Sequence, residues 1–516
     1  MVGTFFSIIP ALVMLVLVIV TKRVLLSLGV GIVLGALFIH NFNILGSIQE
    51  VWGVFYEIFV SEGELNLGNI LLISFLLLLG VMTAFLQGSG GSRAFGNWML
   101  KRVKTRAGAK IMTAILGIII FIDDYFASLA VGQIARPVTD RQKISRAKLA
   151  YIIDSTAAPI TVLSPISSWG AFIIGLLGSI FVANGITDIQ PIEGFIRMIP
   201  MNLYAISAIL LVFLVAYLKV DIGPMRIHEE RAQKTGELID PENSKVPGDL
   251  GDTIEAHPKG KVYHLILPIL VLVLATVTAM LVTGARASEG EVTILSMFAN
   301  TDVNLSLFIG GAISVLFALI LHMIHSAPKA SVMNIFIQGM KSMLPAIYIL
   351  ILAWMIGSII SSLETGTYLA QLLNNANISG VFLPVLFFVI SGIMALATGT
   401  SWGTFTIMLA IGAEVSAVID INLLLPTLAA VLAGAVFGDH CSPISDTTIL
   451  SATGAGANHI DHVLTQLPYA IIAAVVSIVG YLLMGLLEMT ILPLIITLVI
   501  VLVIGFVIHS RNTKNA

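Results

Sequence analysis

The chain has 516 residues, of which 57% are apolar and only 11% charged, and its mean hydropathy is +1.01. Those proportions exclude an ordinary soluble globular protein and point to a polytopic membrane protein in a lipid bilayer. The net charge of -3 comes without a basic surface tract, which argues against nucleic acid as a partner. Cys441 is the only cysteine, so no intrachain disulfide forms.

The first apolar run, Phe5 to Val20, is followed rather than preceded by Lys22 and Arg23, and a second run, Val24 to Ile39, begins at once. The first is therefore expected as a retained span and not a signal peptide. A third span is expected at Gly68 to Leu86. Lys22 and Arg23 mark the cytoplasmic side, whereas the loop with Glu50, Glu57, Glu62 and Glu64 has no lysine or arginine, which places the N-terminus outside. Ser92 to Lys110, rich in lysine and arginine, reads as an interfacial helix on the cytoplasmic face.

Ile111 to Ala135 is apolar apart from Asp123 and Asp124 at its middle, and basic residues flank both ends. With both flanks cytoplasmic, this segment (111–135) is expected to enter and return as a re-entrant hairpin with the two aspartates at its tip; the alternative is a plain crossing helix. A span over 148–180 follows, interrupted within DSTAAPITVLSPISSWG by Pro159 and Pro165. Asp154, Ser155, Thr156 and Ser164 in this stretch are candidate ion or substrate ligands, although Asp154, near Lys148, has the alternative role of capping a half-helix at the interface. A return span runs from about Phe195 to Leu218, and residues 220–261 read as a cytoplasmic linker, charged, with prolines and mobile at least in part.

Spans near Val262 to Val282, Leu305 to His322 and Met343 to Ser362 come next. A second hairpin (382–415), entering from outside, carries TGTSWGT, Thr398 to Thr404, at its centre. A second broken span (423–453) carries GDHCSPISDTT, Gly438 to Thr448, at its break, and two last spans end at Arg511 and Lys514 on the inside. The fold class expected is all-α, with about eleven crossings and two re-entrant hairpins. The units are an extra N-terminal span (1–23), a first repeat (24–219), the linker, a connecting span (262–283), a second repeat (303–487) and a C-terminal span and tail (490–516). The halves share one order of elements in opposite orientation, with the echo of SPIS at Ser164 to Ser167 and at Ser442 to Ser445. Inverted repeats with discontinuous helices are transporter architecture.

In GDHCSPISDTT, Asp439, His440, Ser442, Ser445 and Asp446 fall within eight residues beside the helix breakers Gly438 and Pro443. Each charged aspartate at a helix centre costs about 2.5 to 3.5 kcal/mol, so such a cluster marks a site unless the stretch is a loop outside the membrane. A carboxylate out of water holds its proton tightly, and a bound cation displaces that proton, so sodium and protons compete for one group. Asp123, Asp124, Asp154, Asp439 and Asp446 are the carriers expected, with Thr398, Thr400, Ser401, Ser442, Ser445 and Thr447 as hydroxyl ligands. Sodium is expected at Asp439, Asp446, Thr398 and Ser401. His440 either carries protons or bonds a neighbouring loop. His459, Asp461 and His462 read as a solvated turn at the cytoplasmic edge, and Trp169 and Trp402 as walls of a cavity or ordinary packing. GTSWG, Gly399 to Gly403, matches a hydrolase nucleophile motif without its strand-to-helix setting, so no enzyme is expected. No cofactor and no transition metal are expected, since Asp439, His440 and Cys441 are adjacent and cannot all face one ion.

FGDHCSPISDTT with the following ILSATGAG, together with IDDYFASLAVG and DSTAAPITVLSPISSW, resembles the NhaC-type sodium/proton antiporters of the ion transporter superfamily. The likeness runs over roughly Gly68 to Leu487. It implies a scaffold-plus-transport-domain fold, often a homodimer, in a bacterial cytoplasmic membrane. It also implies sodium/proton exchange, while similar proteins carry malate and lactate, or amino acids; a small carboxylate or amino acid is the alternative cargo.

Overall fold

The computed structural model describes residues 1–514 except 22, 62, 122, 166, 187–188, 242–253, 255–256, 289–291, 325–330, 366–367 and 369–378. Long apolar stretches leave the backbone no partner but itself, and the described residues are accordingly almost all helical. In chain order the helices are α1 (Ile9–Thr21), α2 (Val24–Ile39), α3 (Ile44–Glu57), α4 (Leu67–Gly88), α5 (Gly91–Leu100), α6 (Arg106–Ile119), α7 (Asp124–Arg141), α8 (Arg146–Leu163), α9 (Ser168–Ala183), α10 (Pro191–Met198) and α11 (Leu203–Tyr217). They continue with α12 (Pro224–Lys234), α13 (Tyr263–Ala287), α14 (Ile294–Ala299), α15 (Val303–Ile324), α16 (Val332–Ser362), α17 (Leu383–Thr398), α18 (Ser401–Ile419), α19 (Leu424–Cys441), α20 (Asp446–Ala455), α21 (His459–Leu487) and α22 (Ile491–Lys514). Among the described residues the sole sheet is the small antiparallel ribbon of Val60–Ser61 and Glu64–Leu65.

Among the described residues, 9 helices are long and apolar enough to cross a bilayer, and the pair Pro191–Met201 and Leu203–Tyr217, bent by 50°, makes up to 10. This corrects the expected eleven. The difference lies at the N-terminus, where Lys22 and Arg23 divide the apolar run into α1, of 13 residues, and α2, of 16, each shorter than the roughly 20 residues a span needs. Gly380–Thr398, by contrast, is long enough to cross by itself, although the sequence reads it as one arm of a hairpin.

The helices nearest the centre carry the breaks. The window over Ile421–Cys441 is 78% buried inside the protein, against 22% for Ile491–Thr513 at its rim. α7 and α8 pack on α20, and α17 and α18 pack on α19. The α7–α20 crossing is closed by glycine: a Cβ on Gly132 would stand 2.4 Å from the Gly454 carbonyl, and one on Gly454 would stand 2.3 Å from Ser128 O. Gly399 ends α17 in a left-handed conformation, φ 71°, with Ile444 so near that a Cβ would meet its carbonyl oxygen at 2.7 Å.

Candidate functional site

Four helices begin at the breaks, and each start needs an acceptor for its free amides. Asp123 caps α7, with Oδ1 accepting the Phe126 N–H at 3.0 Å. Ser167 caps α9 (Gly170 N–H, 2.9 Å), Thr400 caps α18 (Trp402 N–H, 3.3 Å) and Ser445 caps α20 (Thr448 N–H, 3.2 Å).

Side chains then join these four starts to one another and to the end of α19. Ser168 Oγ donates to Asp123 Oδ2 at 2.9 Å, and the Trp169 ring N–H donates to Asp124 Oδ1 at 2.9 Å. Ser401 Oγ and Thr447 Oγ1 both donate to Asp439 Oδ2, at 3.1 and 3.2 Å. The Tyr125 hydroxyl donates to Asp446 Oδ2, and the Thr447 N–H meets Asp446 Oδ1 at 2.8 Å. Trp169 and Trp402 pack edge to face at 5.6 Å, so both line the same junction. The structure therefore brings Asp123, Asp124, Asp439 and Asp446 into one cluster. The groups acting most strongly on Asp124 are the other three carboxylates, and none is a lysine or arginine. Asp123, Asp124 and Asp439 are each 1% exposed, while Asp446, Tyr125, Thr398, Thr400 and Trp402 are half-buried and form the mouth. Two oxygens, Asp124 Oδ2 and Asp439 Oδ1, are buried with no partner among the described residues.

Other expected ligands are turned to the backbone. Thr398 Oγ1 donates to Met394 O at 3.0 Å, Ser442 Oγ to Leu396 O at 2.9 Å, Ser164 Oγ to Ile160 O at 2.9 Å and Thr156 Oγ1 to Ile152 O at 2.7 Å. Ser155 is buried on α8 beside Tyr151. His440 Nδ1 lies 3.0 Å from the Tyr204 hydroxyl.

Asp154 is not a cap. It lies mid-helix in α8, wholly buried, and receives Thr448, Ser451, His462 and Gln466. His459 and His462 are buried too, which corrects the solvated turn expected there. The sequence reading passes over Tyr125, Thr448, Ser451 and Gln466, and gives His462 only as part of a solvated turn. A signal was present for the last two: His459, His462 and Gln466 follow the i, i+3, i+7 spacing of one face in an otherwise apolar helix.

A family model described as the Na+/H+ antiporter family matches residues 160–486. The chain belongs to that family. An uncharacterized protein of Haemophilus influenzae is 47% identical over 513 residues, 98% of this chain and 95% of that protein. The malate-2H(+)/Na(+)-lactate antiporter of Bacillus subtilis is 30% identical over 201 residues, 37% of this chain and 40% of its own. The arginine/ornithine antiporter ArcD of Halobacterium salinarum is 36% identical over 115 residues, 21% and 22% of the two chains. The solved structure of Neisseria gonorrhoeae MtrF covers 85% of this chain and 84% of that one at 14% identity, with a TM-score of 0.33, too low to carry an argument. The protein is a multi-pass membrane protein and a secondary transporter.

Proposed function

We propose that the protein exchanges sodium for protons by alternating access. The observation that carries this reading is the cluster of Asp123, Asp124, Asp439 and Asp446, with two buried oxygens lacking a donor among the described residues and no cationic side chain among the groups acting most strongly on Asp124. Carboxylates so placed draw in a metal cation, and a proton leaves the protein in exchange. Asp124, Asp439 and Asp446 ligate sodium with Ser401, Ser445 and Thr447; Thr398 and Thr400 receive it at the mouth; Asp123 holds the start of α7. The proposal includes the inverted repeat, a hairpin and broken-helix unit moving against a scaffold, a homodimer, and an N-out, C-in orientation in a bacterial cytoplasmic membrane.

The second reading keeps the mechanism and changes the cargo to a small organic acid or amino acid. The names of the two partial relatives, malate/lactate and arginine/ornithine, favour it.

Proteoliposomes containing a pH dye decide between them, with sodium, lithium, potassium, malate, lactate and amino acids added in turn. Sodium alone is expected to collapse a pH gradient, and Asp439→Asn and Asp446→Asn to abolish the effect. Proton movement that begins only with an organic solute establishes the second reading instead.

A further inference from the structure

Beside the carboxylate cluster lies a second buried polar group that the exchange described above does not use. Asp154 accepts from Thr448 Oγ1 at 3.2 Å, Ser451 Oγ at 3.1 Å and Gln466 Nε2 at 2.6 Å, and His462 Nε2 stands 3.1 Å from its Oδ2. Four partners on one carboxylate leave little of it for a sodium ion. His462 has a different character: its side chain is wholly buried, and Nδ1 has no partner among the described residues. With Nε2 donating to the carboxylate, Nδ1 is a bare acceptor.

We propose that Asp154 and His462 form the proton-carrying site of the exchange, separate from the carboxylate cluster that takes the cation. This rests on the sodium/proton reading above. A proton arriving at Nδ1 turns His462 into an imidazolium against the Asp154 carboxylate, and the pair passes from one negative charge to none. Its departure from Nδ1 restores the negative charge. The ionisable groups facing the pair are His440, Asp439 and Cys441 on α19, Tyr204 on α11, and His459 on α21 itself. None of them is a lysine or arginine, so the added proton is the cation that the pair lacks.

Two links join this pair to the cluster. Thr448 and Ser451 belong to α20, whose first residue is Asp446, so one helix touches both sites. Gln466 Nε2 also donates to the carbonyl of His440 at 3.0 Å, next to Asp439. A cation that shifts Asp439 or Asp446 therefore moves donors of Asp154, which is a physical route for exchange between sites.

The test uses the full-length protein in proteoliposomes and reads two processes, radioactive sodium counterflow and sodium-driven proton movement. His462→Gln keeps a donor beside Asp154 but takes up no proton. It is expected to retain counterflow within about twofold and to lose proton movement at least about tenfold, with a flattened pH profile of counterflow. Asp154→Asn carries the same expectation should the glutamine protein aggregate. Proton movement that survives His462→Gln overturns this proposal alone, as does equal loss of both processes in a folded variant. Absence of sodium-driven proton movement in the wild type overturns the sodium/proton reading itself.

Discussion

Asp123 already has a donor on each oxygen, the Phe126 amide and the Ser168 hydroxyl, whereas Asp124 has the Trp169 ring N–H on one oxygen and nothing on the other. Two adjacent aspartates thus separate into a cap and, on the proposed reading, a cation ligand. Asn caps a helix as well as Asp, and the Ser168 hydroxyl can turn from donor to acceptor, so Asp123→Asn is expected to keep most transport. Asp124→Asn preserves the acceptor for Trp169 and removes the bare anionic oxygen. It is expected to melt near the wild-type temperature yet lose transport at least about tenfold, or about 1.4 kcal/mol of interaction. Sodium flux and thermal unfolding, measured side by side, check both. Aspartates in apolar runs were legible in the sequence because hydrocarbon excludes them. Tyr125 was not, since a tyrosine is at home in such a run and only the fold shows that its hydroxyl meets Asp446.

Glycine, proline and clustered hydroxyls are the sequence signal of a helix break, and GDHCSPISDTT contains the start of α20 and the end of α19. The first-half break is narrower than its prolines suggest. α8 runs to Leu163 with Pro159 inside it, because one missing amide is tolerated in a buried helix, and the helix ends only after that residue. Pairing between helices was beyond the sequence, since a glycine in an apolar run does not name its neighbour. The Gly132–Gly454 contact sets how closely α7 approaches α20, and with it the Tyr125–Asp446 and Ser128–Ser451 contacts. Gly454→Ala drives a methyl group into a backbone carbonyl and is expected to cost about 1 to 3 kcal/mol. Gly53→Ala, on α3, meets nothing within 4 Å and serves as the control. Thermal unfolding in detergent is expected to show a lowered midpoint for the first substitution and no loss for the second.

Across the whole molecule, the stretch expected as a plain linker begins as a docked structure outside the candidate spans. Tyr469 OH donates to Val220 O at 2.7 Å, Asn512 Nδ2 to Asp221 O at 2.9 Å, and Glu229 Oε2 pairs with Arg106 at 2.6 Å and with Lys148 at 3.5 Å. α6, α8, α21 and α22 are all held by it. Burial by itself would raise the Glu229 carboxyl, but Lys148, Arg106 and the hydrogen bonds from Ser145 together outweigh it and bring it from 4.5 to about 2. Because the folded value is the lower one, this contribution is complete above about pH 4.5 and is lost only as pH falls toward 2. α12 is therefore expected to resist protease throughout the neutral range. Glu229→Gln takes the carboxylate from Arg106 and Lys148 and is expected to cost about 3 kcal/mol, read as faster hydrogen exchange over α12.

The absence of lysine and arginine among the groups acting on Asp124 also bears on leakage. A built-in cation would neutralise an empty cluster and let the carrier reset without a passenger. Here, on the proposed reading, a protein loaded with neither sodium nor a proton would travel with one more bare negative charge than the loaded carrier, a charge opposed by about 2.5 to 3.5 kcal/mol and by a potential term of about 2.3 kcal/mol per 100 mV. The empty return is thereby suppressed, and a one-way drip of ions becomes an obligatory swap.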